Sequence, residues 1–91
     1  MQIVWDEPKR LRNLQDHGLD FVDVRGRFEF AVAIIVPGHP GKDGRPRLKA
    51  IGSLDQQLIA VVFSLLGTEG ISLISARRAS LGERRLHAQS R

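Results

Sequence analysis

"RLKAIGSLDQQLIAVVFSLLGTEGISLISARR", residues 47–78, decides how this chain folds. It holds three apolar runs of strand length: Arg47 to Ser53, Leu58 to Ser64 and Ile71 to Ala76. The first two meet across a tight connection at Asp55 to Gln57, which predicts a hairpin. The second and third join across "LLGTEG", residues 65–70. Short connections between neighbouring strands favour antiparallel pairing.

Upstream, "PGHPGKDGRP" at residues 37–46 is a loop by composition, and Ala31 to Val36 before it predicts a strand buried on both faces. Earlier still the period is helical. Asp20 can cap a helix with Phe21, Val24 and Phe28 on one side. Asp6 can cap another, with Pro8 in its first turn, Lys9 to His17 free of breakers, and Gly18 as its stop. Leu11 and Leu14 would be its apolar stripe, and Ile3 to Trp5 ahead of it an edge strand. Downstream, Ser80-Leu81-Gly82-Glu83 fits a capping box that opens a short C-terminal helix. The expected fold is α+β, with the N-terminal helices and the short C-terminal helix on one face of a mostly antiparallel sheet. Residues 1–91 make one domain.

An apolar content of 42% supports a core, and the absence of cysteine removes disulfides, thiol nucleophiles and thiolate metal sites. The longest apolar run, Leu58 to Leu66, is far below the ~20 residues of a membrane span. Asp6 and Glu7 make the start unlike a secretory signal. A soluble, cytoplasmic protein is expected, with no membrane partner. Of 14 basic residues 11 are arginine, and in the last fifteen positions Arg77, Arg78, Arg84, Arg85 and Arg91 face only Glu83. Such an end suits a polyanion, an acidic protein partner or a solvated helix face.

Several chemistries drop out. His17, His39 and His87 stand at no metal-ligand spacing, no phosphate-binding glycine loop leads into a helix, and no nucleophile elbow occurs. No metal or cofactor is expected. What remains is cationic. Strand alternation puts Arg47 and Lys49 on one face, Arg77 ends the last strand, and Glu83 and His87 share a helix face. If they converge, they supply phosphate clamps, an acid–base imidazole and a carboxylate to orient it. Those are the needs of RNA cleavage, in which the ribose 2′-hydroxyl is the nucleophile. Each residue also has a plainer reading: Lys49 solvated on the sheet, Arg47 paired with Asp43, Glu83 only a cap, His87 solvated near the terminus, Trp5 closing the core.

"VWDEPKRLRNLQDHGLDF", residues 4–21, resembles the opening of the BrnT family of toxins, through the Trp5-Asp6 pair, Lys9, Asn13, His17-Gly18 and Phe21. "ISARRASLGERR", from Ile74, is similar to the family's closing strand and helix, and "RLKAIGS" and "LIAVVFS" sit where its central strands lie. The resemblance implies a RelE-like fold and a ribonuclease toxin of a type II toxin–antitoxin pair that cleaves RNA and stops translation. It also implies a cognate antitoxin with a ribbon-helix-helix DNA-binding part, the complex rather than the toxin binding promoter DNA. Arg47 and Arg77 stand where the family has arginines. Ser72 stands where many relatives have another, and His87 near a frequent tyrosine.

The expectation is therefore a metal-independent endoribonuclease. Arg47, Lys49, Arg77, Glu83 and His87 are the candidate catalytic residues, and Lys9, Arg10, Arg78, Arg84 and Arg85 the candidate RNA contacts. The alternative is a non-catalytic module that binds nucleic acid or the antitoxin.

Overall fold

A computed structural model describes residues 1–90. Its elements run β1 (Gln2–Trp5), α1 (Glu7–His17), α2 (Phe21–Arg27), a 3₁₀ turn at Phe30–Val32, β2 (Ile34–Pro37), β3 (Leu48–Leu54), β4 (Gln57–Leu66), β5 (Gly70–Arg78) and α3 (Leu81–Gln89). The five strands form one sheet in the order β1-β5-β4-β3-β2. Only β1 against β5 is parallel; the other three pairings are antiparallel.

The β3–β4 hairpin closes through a two-residue turn, with Leu54 opposite Gln57. Asp55 and Gln56 both have positive φ, 50° and 69°, as the turn that matches strand twist requires. Neither is glycine, so the turn needs outside support. Arg27, at the end of α2, supplies it with a forked grip on the Asp55 carboxylate, Nε to Oδ1 at 2.9 Å and Nη2 to Oδ2 at 2.7 Å.

One sheet face carries the main core. Phe21 and Val24 of α2 are fully buried, with Phe28 beside them, against Ile59, Val61, Leu73 and Ala76. Burial of each such large side chain is worth about 2–3 kcal/mol. Trp5 closes this core edge-on to Phe21, as the plainer reading had it.

The first helix docks differently from expectation. Leu11 and Leu14 are exposed, and the one buried residue of α1 is Asn13. The reason lies at the sheet edge. β1 stops at Trp5 opposite Leu73, so farther along β5 the outer backbone of Ala76 has no strand beside it. Asn13 takes that place: its Oδ1 accepts from Ala76 N–H at 3.0 Å and its Nδ2 donates to Ala76 C=O at 3.0 Å. The amide acts as a strand residue would. Asp6 holds the N-cap position without a side-chain cap bond, whereas Gly18 stops α1 as expected, at φ 72°.

Two further expectations need correcting. Ala31 and Val32 belong to or border the 3₁₀ turn, and β2 is the last strand of the sheet, with Ile35 left exposed because nothing beyond covers it. The helices also do not share one face. Lys49, Ile51, Ala60 and Val62 alternate with the core residues, and Glu83 of α3 bonds Lys49 from that second side. Alternation in a strand sends neighbours to opposite faces, so α3 lies across from α2, while α1 sits at the β5 edge. Its start is the expected capping box, with Ser80 and Glu83 each satisfying the other's backbone N–H.

Candidate functional site

β5 does not keep its alternation. Val62 pairs with Ser75 but Phe63 pairs with Leu73, so Ile74 is an extra residue. A bulge of this kind turns every later side chain to the other face. Ile71 and Leu73 face the core, and without the bulge Arg77 would follow them inward. With it, Arg77 pairs with Ala60 on the second face, the face of Lys49.

There the cations meet. A cleft of about 290 Å³ is lined by His39, Arg47, Lys49, Val62, Ser75 and Arg77, among others. Arg47 sits just before β3, at the end of the glycine–proline loop, and Gly41 in that loop lets its guanidinium lie close. A Cβ at Gly41 would stand 2.6 Å from Arg47 Nη2. Asp43 does not form an ion pair with Arg47 among the described residues; its carboxylate accepts the backbone N–H of Arg45 at 3.0 Å. Two further hollows continue the cleft. One, about 300 Å³, is bordered by Lys9, Arg12, Asp16 and His17, the other, about 120 Å³, by Lys9, Asp43, Arg45 and Ser72. Arg47 borders all three.

Glu83 organises the cleft from behind. Its carboxylate is buried and accepts from Arg77 Nη1 at 2.7 Å, Arg77 Nη2 at 2.9 Å, Lys49 Nζ at 2.7 Å and Ser80 N at 2.8 Å. The Arg77 fork, then Lys49 and the Ser80 N–H, hold it far below the usual carboxylate range, against the opposing effect of burial. The pairing also raises Arg77. Glu83 is thus both a cap and a brace for two cations. Those cations keep further N–H donors unspent, because Arg77 otherwise gives only one bond, to the Arg78 carbonyl.

The remaining expected site residues are placed elsewhere. His87 borders a separate hollow with Glu29, Val32 and Ser53, so Glu83 does not orient it toward the cations. One face of a helix is wide enough to hold both residues and still aim them at different neighbours. Arg10 is consumed within the fold, with Nε on Glu7 at 2.6 Å and Nη1 on Asp20 at 3.0 Å. Arg78 pairs with Ile59 across the sheet, on the side away from Arg77, and is exposed. Arg84 and Arg85 are exposed on α3, outside the three hollows. Lys9 does border the groove. Arg12, His17, His39 and Arg45 line it without having been singled out. The loop residues among them carry no periodicity that could have aimed them there.

Another hollow, about 770 Å³, lies by the β4–β5 turn and is lined by the Glu69 carboxylate and by no basic side chain. The cationic cleft is the better site for a phosphate.

Residues 5–83 match the family model for the ribonuclease toxin BrnT of type II toxin–antitoxin systems. The chain belongs to the BrnT family. A solved relative agrees: the Brucella abortus ribonuclease toxin BrnT is 46% identical, with a TM-score of 0.72 over 88% of this chain and 97% of that one. No curated protein matches. In this BrnT chain Arg47, Lys49 and Arg77 line one cleft. Family membership accounts for the five-stranded, mostly antiparallel sheet with its closing helix.

Proposed function

We propose that this chain is an endoribonuclease toxin that cleaves RNA without a metal ion, thereby stops translation, and is neutralised by a cognate antitoxin. The observation that carries the reading is the convergence of Arg47, Lys49 and Arg77 on one cleft, in a member of a ribonuclease toxin family. Cleavage by the 2′-hydroxyl builds negative charge on the phosphorus-bound oxygens. Fixed guanidinium and ammonium groups stabilise that charge, the role a divalent cation plays elsewhere. The arginine forks also match two phosphate oxygens at once. Glu83 acts as a positioning residue that keeps Arg77 and Lys49 together. The groove continues past the cleft on the Lys9 side, which favours a strand lying through it and cleavage within a chain.

Action in the cytoplasm follows from the translated RNA as target, and among the described residues no helix is long and apolar enough to cross a membrane. The partner we infer is an antitoxin with a ribbon-helix-helix DNA-binding part, and promoter DNA is bound by the complex only. The test is to incubate purified protein with labelled RNA in EDTA, beside Arg47→Ala and Arg77→Ala variants checked for folding. Cleavage by the parent that is lost in both variants supports the reading. RNA that is bound but left intact replaces it with a binding module.

A further inference from the structure

RNA cleavage needs a group that takes the proton of the 2′-hydroxyl, and the cleft narrows the choice. Arginine stays protonated and has no acceptor. Lys49 is engaged as a donor to Glu83 at 2.7 Å. Glu83 itself spends its oxygens on four donors, and its lowered proton affinity makes it a poor base. His87 lies in another hollow, and His17 borders the hollow on the Lys9 side, which Lys49 and Arg77 do not line. His39 is the imidazole that lines the cleft with Arg47, Lys49 and Arg77. It is exposed on the glycine–proline loop, and its side chain makes no hydrogen bond among the described residues. The loop is tied at its base by Gly38 N–H to Arg47 C=O at 2.8 Å, which keeps His39 and Arg47 at one rim.

Resting on the ribonuclease reading, we propose that His39 is the catalytic base, replacing the His87 of the sequence-based expectation. Its imidazole nitrogen takes the 2′-hydroxyl proton as the 2′-oxygen bonds to phosphorus. The bond from phosphorus to the 5′-oxygen breaks, and water in the open cleft gives that oxygen its proton. The imidazolium returns its proton to solvent. The products are a 2′,3′-cyclic phosphate and a 5′-hydroxyl, with no net proton consumed and no change of oxidation state. His39 has no structural bond to lose, so its substitution leaves the fold intact.

The experiment compares the full chain with His39→Gln, His39→Ala and His87→Gln, using labelled RNA in EDTA and reading both cleavage rate and RNA affinity. Expected is a drop of ~100-fold or more in the rate at saturating RNA for both His39 variants. RNA affinity should change by less than about threefold, and added imidazole should return part of the His39→Ala activity, as it does when only a proton-transfer group is missing. Cleavage by His39→Gln at the parent rate overturns the assignment and leaves the ribonuclease reading standing. The same holds if His87→Gln alone is inactive, or if His39→Ala loses RNA affinity and gains nothing from imidazole. A parent protein that leaves RNA intact removes the ribonuclease reading, and the role of His39 with it.

Discussion

Arg77 and Glu83 meet fork to fork, through hydrogen bonds of 2.7 and 2.9 Å, at the point where the sheet gives way to the last helix. The same carboxylate caps that helix and holds Lys49. One buried side chain therefore ties the helix start, the end of β5 and, across β4, Lys49 of β3 into a single charged unit.

Acid should loosen that unit. Glu83 titrates below its ordinary value of 4.5 in the folded chain. A depressed folded value means the stabilisation is present above the unfolded value and is lost as pH falls from about 4.5 toward and through the folded value. Urea unfolding at pH 7 and pH 3 should show Glu83→Gln less pH-dependent than the parent. The loss at neutral pH should be about 1–2 kcal/mol, because Arg77 and Lys49 can regain water. Equal slopes for the two proteins would show that the carboxylate is not paired as described.

Asn13→Ala should be the most damaging change in α1. It strips the partners from Ala76 N–H and C=O and from the Leu19 carbonyl, which Asn13 also reaches at 2.9 Å. The expected cost is about 2–4 kcal/mol in chemical denaturation. Asn13→Asp should also destabilise, since a carboxylate facing two carbonyls has no hydrogen to give. Leu11→Ala, at an exposed position, should cost far less.

Arg47 and Arg10 separate site from scaffold. Arg47→Ala should weaken RNA binding and lower the salt slope of affinity by about one ion, with little loss of stability. Arg10→Ala should lower the melting temperature and leave the slope alone, because its guanidinium already answers Glu7 and Asp20. A reduced slope in Arg10→Ala would place it on the RNA after all.

Gly41→Ala tests the loop. The added Cβ would collide with the Arg47 guanidinium and stand 2.8 Å from the Asp43 Oδ1, both side-chain ends, so the fold can yield by moving those two groups. Stability should change by less than about 0.5 kcal/mol. RNA cleavage should fall several-fold, because Arg47 no longer borders the cleft as it does now. Unchanged cleavage would show that the position of Arg47 over Gly41 is not used.

Much of the fold was legible locally. The hairpin at Asp55–Gln56, the Gly18 stop, the Ser80–Glu83 capping box and the Phe21, Val24, Phe28 face all follow from short-range rules of turns, caps and periodicity. So did the presence of Arg47, Lys49 and Arg77 as the cations to watch. The sequence could not state their meeting. Simple alternation from Ile71 and Leu73 sends Arg77 into the core; the bulge at Ile74, set by pairing with β4, turns it out toward Lys49.

By itself, then, the sequence determined most of the elements, several of the turns and caps between them, and the family, because these depend on residues close together in the chain. Only the tertiary structure decided which charges were free. Glu7 and Asp20 remove Arg10, a hollow apart from the cations holds His87, and a loop without periodicity brings His39 beside Arg47. Electrostatic and hydrogen-bonding partners are chosen by distance in space, and separation along the chain carries no record of it.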